Sequence, residues 1–186
     1  MGRNKRAAVF LDRDGVINVS PGEGGFVTQW NDFRFLPGAL QALRLFKNRR
    51  RLVFVISNQS AVGRGLLSRA RLRELSRKME AAVFKAGGRI TAAYYCPHHP
   101  KDECGCRKPA PGLLRRAARK FPVDLGRSFV IGDEEKDIQM GRRAGCRTLL
   151  VLSGKQNSSS SKRMKARPDR VEKNLLHAAR WIVSQS

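Results

Sequence analysis

Residues 9–18 read Val-Phe-Leu-Asp-Arg-Asp-Gly-Val-Ile-Asn. An apolar run ends there in two carboxylates one residue apart, Asp12 and Asp14, and Gly15 follows them. If the run is a buried strand, both acids leave its C-terminal end on the same side of the chain. Acids at such a place are costly unless a cation or a reaction uses them. The pattern therefore indicates either a functional site or two solvated loop acids.

Short apolar runs alternate with longer amphipathic segments along the rest of the chain. The predicted strands are Ala7–Leu11, Leu52–Ser57, Thr91–Tyr95, Ser128–Gly132 and Thr148–Leu152. The predicted helices are Gly38–Asn48, Ser68–Ala86, Gly112–Lys120, Lys136–Ala144 and a final helix over about 170–183. This alternation predicts an α/β fold, a three-layer Rossmann-like parallel sheet with helices on both faces and a minimal cap. We expect a single domain over residues 1–186, with a flexible basic loop at 154–167.

The composition is strongly basic. The 186 residues include 38 Lys and Arg against 15 Asp and Glu, a formal net charge of +23. Such a charge favours anionic partners, but the basic residues are scattered rather than gathered in one stripe, so we expect no specific nucleic-acid partner. No apolar stretch approaches the ~20 residues of a membrane span, and the N-terminus does not resemble a secretory signal. We expect a cytoplasmic monomer with no membrane partner.

Polar side chains follow three of the predicted strands. The first strand is followed by Asp12 and Asp14, the second by Ser57–Ser60 and the fourth by Asp133–Asp137. In open parallel sheets, ligands bind outside the carboxyl ends of the strands. Carboxylates with a hydroxyl and backbone oxygens form a hard oxygen site suited to Mg²⁺. The sequence therefore predicts a magnesium site that could orient a phosphate for attack.

Three of the four cysteines lie in one short segment, Cys96-Pro-His98-His99-Pro-Lys-Asp-Glu-Cys104-Gly-Cys106. Cysteines clustered in a reducing compartment indicate a metal rather than disulfides. Cys96, His98, Cys104 and Cys106 make a Cys₃His set of the kind that Zn²⁺ favours. His99 could replace His98, and free thiols in the loop are the alternative. With four protein ligands the zinc would be structural, holding the loop that presents Arg107 and Lys108.

Four segments resemble, in order, the motifs of the haloacid dehalogenase superfamily of phosphatases. They are Asp12–Asn18, Ser57–Ser60, Arg107-Lys108-Pro109 and Gly132–Asp137. The resemblance implies a phosphoric monoester hydrolase with Asp12 as nucleophile and Asp14 as general acid/base. It implies Mg²⁺ on the Asp12 side chain, the Asp14 carbonyl and the Asp133 side chain, with Asp137 orienting the metal shell.

The same resemblance implies that Ser57 and Lys108 bind the transferring phosphoryl group. The candidate substrate-binding residues are Asn58, Gln59, Ser60 and Arg107, of which Arg107 would contact the distal phosphate or the sugar.

The zinc loop narrows the resemblance to D-glycero-D-manno-heptose 1,7-bisphosphate 7-phosphatases and histidinol-phosphate phosphatases. Phe10–Asn18, Asp32–Gly38 and Ser57–Gly65 favour the heptose enzymes. Two departures leave the sugar phosphate open: the segment Ser20–Gly25 is unusually rich in glycine, and Glu134 stands where some members carry lysine. The alternatives are histidinol phosphate and, with a nucleic-acid partner, a 3′-phosphatase.

Overall fold

The computed structural model describes residues 5–22, 24–154 and 164–185. The strands are β1 (Ala8–Leu11), β2 (Leu52–Asn58), β3 (Ala92–Cys96), β4 (Phe129–Gly132), β5 (Arg147–Val151) and β6 (Arg170–Glu172). The helices are α1 (Ala39–Asn48), α2 (Arg69–Lys85), α3 (Gly112–Lys120), α4 (Glu135–Arg143) and α5 (Leu175–Ser184). Most of the basic loop predicted at 154–167 lies outside the described residues.

The strands form one parallel sheet in the order β3-β2-β1-β4-β5-β6. The predicted α/β class is confirmed. The chain winds from β1 to β3 in one direction and returns through β4 to the other side, so the direction of winding reverses beside β1. A ligand crevice forms at such a reversal because the loops that follow the two neighbouring strands diverge there. The fold thus places the ends of β1 and β4 at the predicted site.

Both faces of the sheet are covered, which explains why the strands have continuous apolar runs. On one face, Val9 and Leu11 pack with α1 and α5, and on the other Ala8 and Phe10 pack with α3. All four β1 side chains are buried. Alternate residues of one short strand therefore belong to two separate hydrophobic clusters, and β1 is the centre of the core.

The prediction of a final helix over about 170–183 is wrong at its N-terminal end. Residues Arg170–Glu172 instead form β6, which pairs with β5 at the edge of the sheet. The helix begins after Asn174, whose side chain accepts hydrogen bonds from the backbone N–H groups of Leu176 and His177. A three-residue strand is too short to show a period of two, so its apolar Val171 also fits a helical spacing.

No helix among the described residues is long and apolar enough to cross a membrane.

Candidate active site

Asp12 and Lys108 form a buried ion pair at the carboxyl end of β1. Lys108 Nζ lies 2.8 Å from Asp12 Oδ2 and 2.6 Å from Asp137 Oδ1, and Lys108 is buried. Burial acts to raise the pKa of Asp12, but the charge and hydrogen bond of Lys108 outweigh it and hold this pKa below its usual value. Burial acts in turn to lower the pKa of Lys108, and the two carboxylates raise it. Asp12 is therefore an ionised carboxylate next to a fixed cation.

Three carboxylates meet beside this pair. Oxygens of Asp12, Asp133 and Asp137 lie within 4.8 Å of one another, and the three residues are only 8%, 1% and 1% exposed. Burial, opposed by Lys108 and reinforced by the charge of Asp12, raises the pKa of Asp137 to about 6. In the described part of the chain, Lys108 is the cation that forms an ion pair with both Asp12 and Asp137. A divalent cation would offset the remaining negative charge, so this donor set fits Mg²⁺.

The Asp14 side chain lies outside the three-carboxylate group and has its own hydrogen-bond partners. Buried Arg13 donates to both of its oxygens, at 2.9 to 3.1 Å. The amide nitrogens of Asn18 and Gln59 each donate at 2.9 Å. Asp14 and Asp12 nevertheless line the same pocket. Since the predicted magnesium ligand at Asp14 is its backbone carbonyl, its carboxylate is left available for other chemistry.

Two glycines allow the backbone to approach Asp133. A Cβ on Gly154, just after β5, would lie 2.0 Å from Asp133 Oδ2, and a Cβ on Gly15 would lie 2.3 Å from the same atom. Gly15 also adopts a φ of +84°, which disfavours other residues. Ser153 Oγ donates to the Gly15 carbonyl at 2.9 Å, which ties the two loops together. The carboxylate group is thus enclosed by close backbone contacts.

We expect Gly154→Ala to weaken Mg²⁺ binding, because the added methyl group must displace the Asp133 carboxylate. Losing a group that only orients metal ligands typically costs about 10- to 100-fold in metal affinity, and Asp133 is itself a predicted ligand, so the loss should be at least this large. Calorimetric titration of the purified protein with Mg²⁺ measures this. Gly126→Ala is the matched control, since its Cβ would lie an ordinary 3.6 Å from Asp124 Oδ1. Equal affinities in the two variants would contradict the assignment.

Ser57 and Asn58, at the carboxyl end of β2, contact different parts of the site. Ser57 is buried, and its Oγ accepts a hydrogen bond from Gln59 Nε2 at 3.1 Å. Asn58 instead holds the backbone of Lys108: its Nδ2 donates to the Lys108 carbonyl at 3.2 Å and its Oδ1 accepts from the Lys108 N–H at 3.0 Å. The Asn58 side chain therefore positions Lys108, a role that the sequence did not indicate.

A pocket of about 210 Å³ lies over Asp12 and Asp14. Its other lining residues are Ser20, Pro21, Gly22, Gly24, Gly25, Phe26, Val27, Ser57, Asn58, Gln59, Ser60, Arg107, Glu134 and Lys136. All the predicted substrate-binding residues are in this set. Five of the lining residues come from the glycine-rich segment that begins at Ser20. Arg107 Nη1 is buried without a hydrogen-bond partner among the described residues, so it is available to an anion.

Sequence reasoning missed Lys136. Lys136 lines the pocket and pairs with Glu134 at 2.8 Å. Its sequence position, between Asp133 and Asp137 at the N-terminus of α4, could have indicated that it lies at the site. There a second cation faces the same anionic site as Lys108.

The predicted zinc ligands form a compact cluster. The three sulfur–sulfur distances among Cys96, Cys104 and Cys106 are 3.4 to 3.5 Å. His98 Nδ1 lies 3.2 Å from the sulfur of Cys106 and 3.6 Å from that of Cys96. A tetrahedral site with Zn–S bonds of about 2.3 Å has sulfurs about 3.8 Å apart. The cluster is close to these dimensions, and its donor chemistry fits zinc.

His99 has a different partner. Its Nδ1 accepts a hydrogen bond from the backbone of Lys101, and its own N–H donates to Asp102 Oδ2. These bonds cap the short 3₁₀ turn Pro100–Asp102. Of the two histidines that the sequence left open, the structure thus brings His98 to the cysteines.

Comparison with known proteins gives consistent matches over nearly the whole chain. A family model described as HAD-hydrolase-like matches residues 105–178. The D-glycero-beta-D-manno-heptose-1,7-bisphosphate 7-phosphatase of Bordetella bronchiseptica is 35% identical over 96% of this chain and 98% of its own. The Vibrio cholerae protein of the same name is 37% identical over 81% of this chain and 83% of its own.

Solved structures give the same result. The crystal structure of D,D-heptose 1,7-bisphosphate phosphatase from B. bronchiseptica, complexed with magnesium and phosphate, has a TM-score of 0.89. It is 35% identical, and the match covers 97% of this chain and all of that one. The corresponding phosphatase from Burkholderia thailandensis has a TM-score of 0.71 at 31% identity, over 96% of this chain and 99% of that one.

Proposed function

This chain belongs to the D-glycero-beta-D-manno-heptose-1,7-bisphosphate 7-phosphatase family of haloacid dehalogenase-like hydrolases, and from this premise we propose that it releases the 7-phosphate of that heptose bisphosphate. The reaction is a phosphoric monoester hydrolysis that leaves the 1-phosphate. The observation that carries the proposal is the buried Asp12–Lys108 pair at the base of the pocket. In the proposal, Asp12 is the nucleophile and Lys108 is the cation that binds the phosphate, and their contact supports these roles.

Asp12 acts as the nucleophile in this proposal. Its low pKa keeps Oδ1 and Oδ2 ionised, so one oxygen attacks phosphorus and forms an aspartyl-phosphate. Asp14 protonates the departing sugar oxygen, then takes a proton from the water that hydrolyses the intermediate. Lys108, Ser57 and the backbone after β1 bind the phosphoryl oxygens. Two half-reactions thus replace one of the slowest uncatalysed hydrolyses known.

Mg²⁺ is the cofactor of this reaction in the proposal. Asp12, Asp133 and the Asp14 carbonyl would hold it, and Asp137 would orient the shell. When bound, it neutralises phosphate charge and lowers repulsion between the phosphate and the attacking carboxylate. A second ion, Zn²⁺ on Cys96, His98, Cys104 and Cys106, is structural because four protein ligands leave no position for water.

Arg107 is the residue that we propose binds the second phosphate. It lines the pocket beside Lys108, and its buried Nη1 has no partner among the described residues. A guanidinium binds a phosphate through two parallel hydrogen bonds.

We expect Arg107→Met to raise the KM for the heptose bisphosphate about 10- to 100-fold, since a charged hydrogen bond contributes about 1.5–3 kcal/mol. The KM for p-nitrophenyl phosphate, which has one phosphate, should stay within about twofold. Steady-state kinetics with both substrates measure the difference. Arg64→Met, on an exposed part of the neighbouring turn, is the control. An equal rise for both substrates would show that Arg107 does not bind the second phosphate.

A substrate comparison tests the proposed function directly. We expect phosphate release from D-glycero-D-manno-heptose 1,7-bisphosphate to have at least about 100-fold higher kcat/KM than release from histidinol phosphate, on the order of one lost charged contact. Chromatography of the product should show the heptose 1-phosphate. Equal or faster turnover of histidinol phosphate would refute the sugar assignment.

A further inference from the structure

A large basic concavity, which we call the basic groove, lies where the amino ends of the parallel strands meet. It encloses about 1270 Å³, and nine of its fifteen lining residues are lysine or arginine. Among the described residues, no Asp or Glu lines it. Arg49, Arg51, Arg89 and Arg127 come from three different loops, and Arg147 is the first residue of β5. A chain whose basic residues are scattered in sequence has thus gathered many of them in space.

The basic groove is separate from the candidate active site. Its lining includes Ala7 and residues Leu52, Phe129 and Arg147, which lie at or next to the amino ends of β1, β2, β4 and β5. Asp12 and Asp133, in contrast, follow the carboxyl ends of β1 and β4. Because the sheet is parallel, the groove and the candidate active site lie at opposite ends of the strands. The attraction of substrate to the active site therefore does not account for the groove.

Helix dipoles do not account for it either. Helices α1, α2, α3 and α4 each precede a strand of the parallel sheet and therefore terminate towards the amino ends of the strands, as does α5, which follows β6. Each C-terminus is equivalent to about half a negative charge, or about −2.5 for the five. Nine cations exceed this several-fold. Burial is the larger cause of the lowered pKa of Arg51, and the positive charge of neighbouring Arg127 lowers it further, as expected where like charges are gathered. An anionic ligand would relieve this repulsion.

We propose that the basic groove binds the phosphate backbone of single-stranded nucleic acid without reading its bases. Arginine pairs with phosphates bidentately, and a basic groove that follows the backbone is the common feature of such binders. The aromatic rings at this edge are covered: the Arg147 guanidinium lies 5.2 Å from the Phe129 ring centre and 4.8 Å from that of Trp181. Phe129 is buried and the half-buried Trp181 ring is covered by Arg147 and Arg170, so the described part of the groove offers a base no free ring for stacking. A concave surface without exposed large apolar side chains does not fit a flat bilayer.

The test compares two triple variants with the same charge change. The groove variant combines Arg49→Gln, Arg89→Gln and Arg127→Gln, all exposed in the groove. The control variant combines Arg69→Gln, Arg73→Gln and Arg77→Gln, exposed on α2. Fluorescence anisotropy with a labelled oligothymidylate of about 20 nucleotides measures binding across a range of salt concentrations. Circular dichroism confirms that both variants fold.

We expect the groove variant to bind about 100-fold more weakly at 0.1 M salt, with a salt slope about 2 smaller, since each lost phosphate contact contributes about 0.7 to the slope. The control variant should stay within about threefold of the parent. Phosphatase turnover should be unchanged in both, so this result is independent of the proposed function. Equal losses in the two variants would show attraction by net charge only. Groove-dependent binding of inorganic polyphosphate or of phosphatidylglycerol vesicles, without binding of the oligonucleotide, would also overturn the proposal.

Discussion

Asp12→Asn should lower phosphatase turnover by at least about 10⁴-fold, since removing the nucleophile of a covalent mechanism abolishes the whole chemical route. The amide cannot attack phosphorus, whereas its shape and burial match the carboxylate. Rapid-quench experiments with labelled substrate should trap an acid-stable phosphoryl-protein in the parent and none in the variant. Substrate binding should persist, since Lys108 remains paired with Asp137.

The folding stability of Asp12→Asn shows whether its loss of turnover comes from the missing nucleophile or from unfolding. Asp12→Asn breaks the ion pair with buried Lys108, but Asp137 remains as the second partner of that cation, so the loss of unfolding free energy should be smaller than the cost of leaving a buried charge unpaired. Zinc content should also be unchanged. Asp32→Asn, on an exposed 3₁₀ turn, is the control and should keep full turnover. A variant at Asp12 that retains more than about 1% of the parent turnover would refute its assignment as nucleophile.

The sequence predicted best what depends on a single strand and the residues that follow it. Val9–Leu11 is apolar because it is covered on both faces, and it ends where Asp12 begins. The predicted and observed bounds of the five longer strands differ by no more than one residue at each end. The convergence of Asp12, Ser57 and Asp133 followed from parallel strands alone, because all their carboxyl ends meet at one edge.

The features that the sequence did not predict are contacts between distant segments. The hydrogen bonds from Asn58 to the backbone of Lys108 join residues 50 positions apart. The approach of Gly154 to Asp133 depends on how the loop after β5 turns back. The basic groove likewise requires Arg49, Arg89 and Arg127 to come together from three loops. No local period or motif encodes these distances, so only the packed chain reveals them.

Cys96→Ser should remove the zinc and lower kcat by about 100-fold, the effect of misplacing catalytic groups by about 1 Å. Cys96 connects the cysteine cluster to the residues at and just after the end of β2. It ends β3 opposite Asn58, and its carbonyl accepts a hydrogen bond from the Gln59 N–H at 2.8 Å. At the other end of the loop, Cys106 is two residues from Lys108. A zinc ion on this cluster would therefore fix the spacing between Lys108 and the residues at the end of β2.

Metal analysis and kinetics on the same samples test this positioning role. Cys146→Ala is the matched control: Cys146 is also buried, burial raises the pKa of its thiol to about 12, and it lies outside the cluster. It should keep its zinc and its turnover. Chelation of the parent should expose three reactive thiols and reduce turnover, and added zinc should restore it. If Cys96→Ser loses zinc but retains parental kcat and KM, the metal does not position Lys108. Restoration by zinc, in contrast, requires that the loop and Lys108 return together, because only one residue separates Lys108 from the predicted zinc ligand Cys106.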